Sequence, residues 1–256
     1  MKIYLFASLF LIFSLTQLHA QTEPDIYVHV QFLEVPADDL DGFLKTSSED
    51  LKTFQQNRVD GSGLEAWRLY RVVLSSNQNH NYNFVSIEVA SELNAFQSGT
   101  QPDAAAYRET IKNNPVQKYS IHSEIWSTQA LVYHDLSSAP SRYKNVNFMS
   151  AEEGRLQEYL NLETEIAKPL HQHQTDNERM DGWNFYRLVF PTGTGVIYNF
   201  LTADYYSNLE QIEWGITRQV IEEVHPEMDV DEFEDFADSI RARAWSDLWK
   251  LLEFVN

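Results

Sequence analysis

Apolar and polar residues alternate from Tyr27 to Val35, a run rich in Val and Phe, and this predicts a β-strand. Asp38 or Asp39 is then placed to cap a helix whose apolar residues Leu40, Phe43, Leu44, Leu51 and Phe54 recur at helical spacing. Trp67–Ser75 and Asn81–Val89 read as two more strands, joined by the polar stretch Ser76–His80. A second helix is predicted near Asp103–Asn113, followed by an extended, Trp-containing segment over Lys118–Val132. The same series then recurs. Residues Glu152–Gln174 carry Leu156, Tyr159, Leu160, Ile166 and Leu170 on one helical face, with a kink or restart expected at Pro169. Pro191–Gly195 has the composition of a hairpin turn. Helical patterns cover Leu209–Val224 and Val230–Ser239, and Ile240–Phe254 closes the series as an extended segment, with a helix left open over Trp249–Phe254.

The recurrence is visible residue by residue. Shifting the chain by 116 positions aligns 27–96 with 143–212 without a gap, and 18 of the 70 columns are identical. Unrelated chains would match in roughly one column in seventeen, so the halves read as a tandem duplication. The identities include Glu49/Glu165, Lys52/Lys168, Trp67/Trp183, Tyr70/Tyr186, Arg71/Arg187, Tyr82/Tyr198, Asn83/Asn199 and Phe84/Phe200. Ser123-Glu124-Ile125-Trp126 also matches Ser246-Asp247-Leu248-Trp249, so the second copy has seven extra residues before its last element. The expected organisation is a repeat over 21–135, a Ser/Pro-containing linker over 136–142, and a second repeat over 143–256.

The order βαββαβ is that of a ferredoxin-like unit, giving an α+β fold. One such unit leaves a sheet face bare, and two fused copies can cover each other. The whole resembles the dimeric α/β-barrel superfamily, with both halves on one chain as a pseudo-dimer. The junction Glu165-x-x-Lys168-Pro169-x-His171, followed by Gly182-Trp183-x-x-Tyr186-Arg187, is similar to a group of secreted bacterial proteins of this architecture with no established activity. The resemblance bears on fold and leaves function open.

Strand alternation divides each strand into two faces. Val28, Val30 and Phe32 share a face, as do Val85, Ile87 and Val89, and these are expected to pack on the helices. The opposite faces carry His29, Gln31, Glu88, Asn145, Asn147 and Asp204, expected to line a polar barrel interior. Arg71 and Arg187 are placed inward as partners for Glu88 and Asp204, because a buried unpaired charge costs several kcal/mol (order of magnitude). With Trp67, Tyr70, Asn83, Trp183, Tyr186 and Asn199 they form the candidate ligand-binding set. It reads either as a structural ion-pair lattice or as the wall of a small-molecule pocket.

Charge changes the picture most. With 19 Lys and Arg against 38 Asp and Glu, the formal charge is −19, which argues against nucleic acid and anionic membrane surfaces. Zero cysteines exclude disulfides, thiolate metal sites and thiol nucleophiles. Met1–Ala20 has a basic start, an apolar run from Ile3 to Leu15 and a polar end. It reads as a secretory signal cleaved near Ala20, so a secreted or periplasmic product without a membrane span is expected, most simply as a monomeric pseudo-dimer.

No GxSxG, GxGxxG or phosphate loop is present. His171 and His173 lie two apart on a helix and point in different directions, and copy one has Gln55 and Asn57 there, so no metal site is expected. The acidic stretch 222–238 lacks the rhythm of a calcium loop and reads as a solvated helical face. No cofactor is implied. Haem-binding members of the barrel superfamily usually carry an axial His, for which His29 is the inward candidate, with Asn145 as its twin. Three readings follow: a small-ligand binder, an oxidoreductase resembling the cofactor-independent small monooxygenases of that superfamily, and a structural or partner-binding module.

Overall fold

The computed structural model describes residues 26–61, 63–79, 81–97, 114–132 and 140–256. The predicted signal segment, the helix near Asp103–Asn113 and most of the 136–142 linker lie outside the described residues.

Eight strands form one closed antiparallel barrel: β1 (Tyr27–Leu33), β2 (Ala66–Ser75), β3 (Phe84–Ala90), β4 (Ser120–Val132), β5 (Tyr143–Ala151), β6 (Gly182–Phe190), β7 (Phe200–Tyr206) and β8 (Arg241–Val255). Their order is β1-β3-β2-β8-β5-β7-β6-β4, returning to β1. The first four strands thus lie as β4-β1-β3-β2 and the last four as β8-β5-β7-β6. Two seams join these sets, β2 with β8 and β4 with β6. Each seam supplies partners to a strand that would otherwise be an open edge, and closure leaves no unpaired edge. The long last strand is extended throughout, which settles Trp249–Phe254 as strand.

Seven helices are described: α1 (Leu40–Thr46), α2 (Lys52–Gly61), α3 (Pro115–Tyr119), α4 (Leu156–Asn161), α5 (Lys168–Asp176), α6 (Arg218–Val224) and α7 (Val230–Ile240). Neither Asp38 nor Asp39 caps α1 through its side chain; Asp39 instead accepts from Tyr119 (2.8 Å) and Lys118 (3.2 Å). A π-helical turn joins α1 to α2 over Ser47–Leu51, and another joins α4 to α5 over Leu162–Ala167. Pro169 sits in the first turn of α5, where its missing N–H costs little, so the helix runs on beyond the widened turn. Glu49 and Glu165 lie in these π turns and Lys52 and Lys168 just after them. Lys52 bonds Glu253 of β8 at 3.0 Å.

The interior disagrees with the sequence expectation about faces. Val28, Val30, Phe32, Val85, Ile87 and Val89 belong to one cluster with Val146, Phe148, Leu201, Ala203, Tyr186 and Trp249 from the other half. That cluster is the barrel lumen. Leu33, Phe43, Leu51, Trp67, Leu69 and Phe84 form a separate core beneath α1 and α2, and Tyr159, Leu162, Trp183, Phe185 and Phe200 form its counterpart beneath α4 and α5. His29, Gln31, Glu88, Asn145, Asn147 and Asp204 therefore face outward, toward the helices. An eight-stranded barrel is only wide enough to be filled by side chains, so its lumen takes the apolar face. The face under the helices stays buried as well, and helical side chains reach down to meet its polar groups.

Candidate functional site

Beneath the first pair of helices, Glu88 projects from β3 and is 4% exposed. It accepts from His29 Nδ1 of β1 at 3.2 Å, from Gln55 Nε2 of α2 at 3.2 Å, and from Arg58 Nη1 of α2. Phe96 packs at 5.6 Å on the His29 ring. Burial alone would raise the Glu88 pKa, but His29 and Arg58 together outweigh it and hold the carboxyl below its ordinary range. His29 therefore lies on the helix side of the sheet and not in the lumen, where the alternation predicts it.

The matching place in the second half is a cleft of about 230 Å³. Asp204 of β7 stands where Glu88 stands, and Asn145 Nδ2 of β5 donates to it at 2.9 Å. His171 of α5 stacks on Trp183 at 4.7 Å with only 10° between the rings. Its Nδ1 is buried without a hydrogen-bond partner and lies 4.0 Å from Asp204 Oδ1, too far for a hydrogen bond. Burial, with some help from the Arg241 charge, lowers the His171 pKa to about 3, so the imidazole is neutral. Burial, reinforced by the Glu163 charge, also raises Asp204 to about 6, against the opposing hydrogen bonds of Asn145 and Asn147 and the charge of Arg243. Arg179, Arg243, Gln211 and Tyr206 line the cleft with the apolar Met180, Ile212 and Ile216. A neutral imidazole and a carboxylate that titrates near neutrality thus face one cavity, with cations at its wall.

Of the predicted set, Asn145, Asn147, Asp204 and, one layer below, Trp183 meet at this cleft. Asn147 donates to Thr202 Oγ1 (3.2 Å) and accepts from Ser246 (2.6 Å). His29 and Glu88 meet in the closed twin, with Trp67 and buried Gln31 on the same outer face; Trp67 Nε1 donates to Ser86 at 3.0 Å. Arg71 and Arg187 are exposed and partner neither carboxylate, because their strands run past the helices there. Glu88 is paired instead with Arg58, and Asp204 feels the charge of Arg243. Asn83 bonds the backbone of Val35 through both its amide groups, and Asn199 accepts from the Ala151 N–H, so both tie a strand entry in place. Tyr70 and Tyr186 point into the lumen, separated from the tryptophans by the sheet.

Sequence reasoning missed the carboxylates that do lie inside. Tyr198 of the second half donates to Glu124 of the first, and Tyr82 of the first to Asp247 of the second. Trp126 and Trp249 donate to the same two acids at 2.9 and 3.2 Å. The repeated Ser-acid-x-Trp motif was the signal for this layer. His171, Gln174, Arg179 and Arg243 were missed as cleft residues because each differs from its twin or has none.

No family model and no curated protein matches the chain. Solved structures do. A candidate monooxygenase from Lactobacillus acidophilus superposes with a TM-score of 0.57 at 10% identity, covering 91% of this chain and 97% of the other. An anthrone oxidase-like protein gives 0.57 at 8% identity over 91% and 94%. A chlorite dismutase variant from Candidatus Nitrospira defluvii gives 0.50 at 10% identity over 89% and 91%. With eight antiparallel strands closed through two seams and helices packed outside, the chain has the dimeric α/β-barrel fold.

Proposed function

We propose that this chain is an exported binding protein, built as two tandem ferredoxin-like repeats, that takes a small hydroxylated ring compound in the cleft of the second half. The observation that carries the reading is the unpartnered Nδ1 of His171 facing Asp204 at a cleft whose twin position holds, among the described residues, the Arg58–Glu88–His29 cluster. Both groups accept hydrogen bonds from a hydroxyl, while Met180, Ile212 and Ile216 offer apolar contact to a ring. A cavity of about 230 Å³ is larger than the roughly 150 Å³ engineered cavity that admits benzene. Of the small molecules available to such a site, phenols and hydroxyquinones match its chemistry best.

Titration with a panel of phenols and quinones, read by Trp fluorescence, tests this. Trp183 lies directly beneath His171, so saturable quenching is expected, reduced at least tenfold in affinity by His171→Leu. Quenching that is absent, or unchanged in that variant, contradicts the reading and leaves the structural module. Oxygen uptake with a quinol would move the protein to the oxidoreductase reading. N-terminal sequencing of the exported product, expected to begin near Gln21, tests the localisation.

A further inference from the structure

The lumen has a second polar pole, at the end away from Glu124 and Asp247, and it carries the opposite charge. Arg68 of β2 and Lys144 of β5 both point inward there and are 3% and 6% exposed. Neither forms an ion pair among the described residues. Arg68 donates from Nη2 to Asn256 Oδ1 at 3.3 Å, and its Nε–H has no partner. Lys144 Nζ is ringed by Tyr205, Trp249, Tyr186 and Tyr70 at 5.2, 5.6, 5.7 and 5.9 Å from their centroids. Burial, reinforced by the Arg68 charge, lowers the Lys144 pKa to about 7.

Between these groups lies a small chamber of about 30 Å³. Four of its lining residues present a buried polar atom without a hydrogen bond: Arg68 Nε, Tyr70 OH, Thr128 Oγ1 and Asn184 Oδ1. Three of these atoms can donate. The Asn184 amide hydrogens are already committed to Tyr186 and Tyr205, at 2.7 and 3.1 Å. Buried polar groups are almost always satisfied, so three orphaned donors around one void point to an occupant that accepts hydrogen bonds. The void holds one particle of water to halide size. Arg68, together with Lys144 in its protonated form, brings positive charge to this void without an acid in ion-pair contact among the described residues, which selects an anion over a water. Tyr70 is pushed up to about 12 by burial, so its phenol stays protonated and donates.

We propose that the chamber between Arg68 and Lys144 is a binding site for one small monovalent anion of halide size. It is separate from the cleft of the second half, on the other side of the sheet, and does not depend on what that cleft binds. The cation–π ring positions the ammonium, and the anion supplies a counter-charge at this end of the lumen.

Two measurements on the full-length mature protein test it. Crystals soaked in bromide should show an anomalous peak between Arg68 and Lys144. In solution at constant ionic strength, replacing gluconate, which is too large for the chamber, by chloride should raise Tm. The unfolding constant should fall about hundredfold at a chloride concentration of 100 Kd. Lys144→Met and Arg68→Met should each remove that chloride dependence. An empty chamber in the bromide crystals overturns the proposal, as does a Tm indifferent to chloride or a dependence that survives in both variants. The bromide result stands on the unmodified protein, so it decides the matter if either variant fails to fold.

Discussion

Four twin positions beneath the helices set the two halves apart. The first half has His29, Gln55, Arg58 and Glu88; the second has Asn145, His171, Gln174 and Asp204. The acid is kept, but its guanidinium partner is exchanged for an amide. In the first half Arg58 fills the space and neutralises Glu88. In the second, Gln174 donates to the Gly215 carbonyl instead, and a cavity opens over Asp204. One scaffold therefore holds a satisfied structural acid and a poised one, and the difference lies in side chains reaching down from a helix. Loss of a counter-ion at a buried acid is destabilising, and sites of this kind are where function is concentrated.

The largest expected effect breaks the closed side. Arg58→Met leaves Glu88 buried without its cation, at a cost of about 3–5 kcal/mol in urea unfolding. Gln174→Met at the twin position removes a hydrogen bond to a backbone carbonyl and should cost about 1 kcal/mol. Equal losses in the two variants would erase the contrast.

Next in size is Asp204→Asn. A carboxyl raised from 3.8 to about 6 in the folded state keeps its proton where the unfolded chain has released it. Wild-type stability from this group is thus greatest below about pH 4 and falls as pH rises to about 6. Asp204→Asn should stabilise the protein at pH 7 by about 2–3 kcal/mol, while weakening the binding of phenols. Glu88→Gln should do the reverse and destabilise, since the Glu88 pKa is lowered in the fold. Urea unfolding of both variants across pH 4 to 8 checks the opposite signs.

Gln174→Arg sharpens the comparison by copying the first half into the second. It should close the cleft, lower the Asp204 pKa and reduce phenol affinity at least tenfold by fluorescence titration. The smallest effect is at the surface: Lys52→Ala breaks a partly exposed pair with Glu253 and should change stability by only about 0.2–1 kcal/mol in urea unfolding.

Much of this fold was legible. The strand patterns, the 116-residue recurrence and the resemblance to the barrel superfamily led to eight strands and a closed sheet. The direction of the faces was not legible, because both sides of β1, β3, β5 and β7 are largely buried, one in the lumen and one beneath helices. Polarity then ceases to mark inside from outside: Val30 lies in the lumen although it is apolar, and Asp204 lies under a helix although it is charged. The candidate site was partly legible for the same reason. Asn145, Asn147 and Asp204 were found through their alternation on β5 and β7, but they were assigned to the wrong side of the sheet. His171 was weighed only as a metal ligand. Arg179 and Arg243 reach the cleft from a loop and a distant strand, and no local spacing announces that. The lumen cations Arg68 and Lys144 have Asn184 and Val28 as twins, so the recurrence that revealed the fold concealed them.

The asymmetry itself is tested most directly by a carboxyl carbon NMR titration of Glu88 and Asp204 in one sample, with and without a bound phenol. The expected result is Asp204 titrating near pH 6 and responding to the phenol, with Glu88 titrating below the ordinary carboxylate range and indifferent to it. Two carboxyls that titrate together, or a phenol that moves Glu88 and leaves Asp204 unchanged, would contradict a closed first half and an open second one.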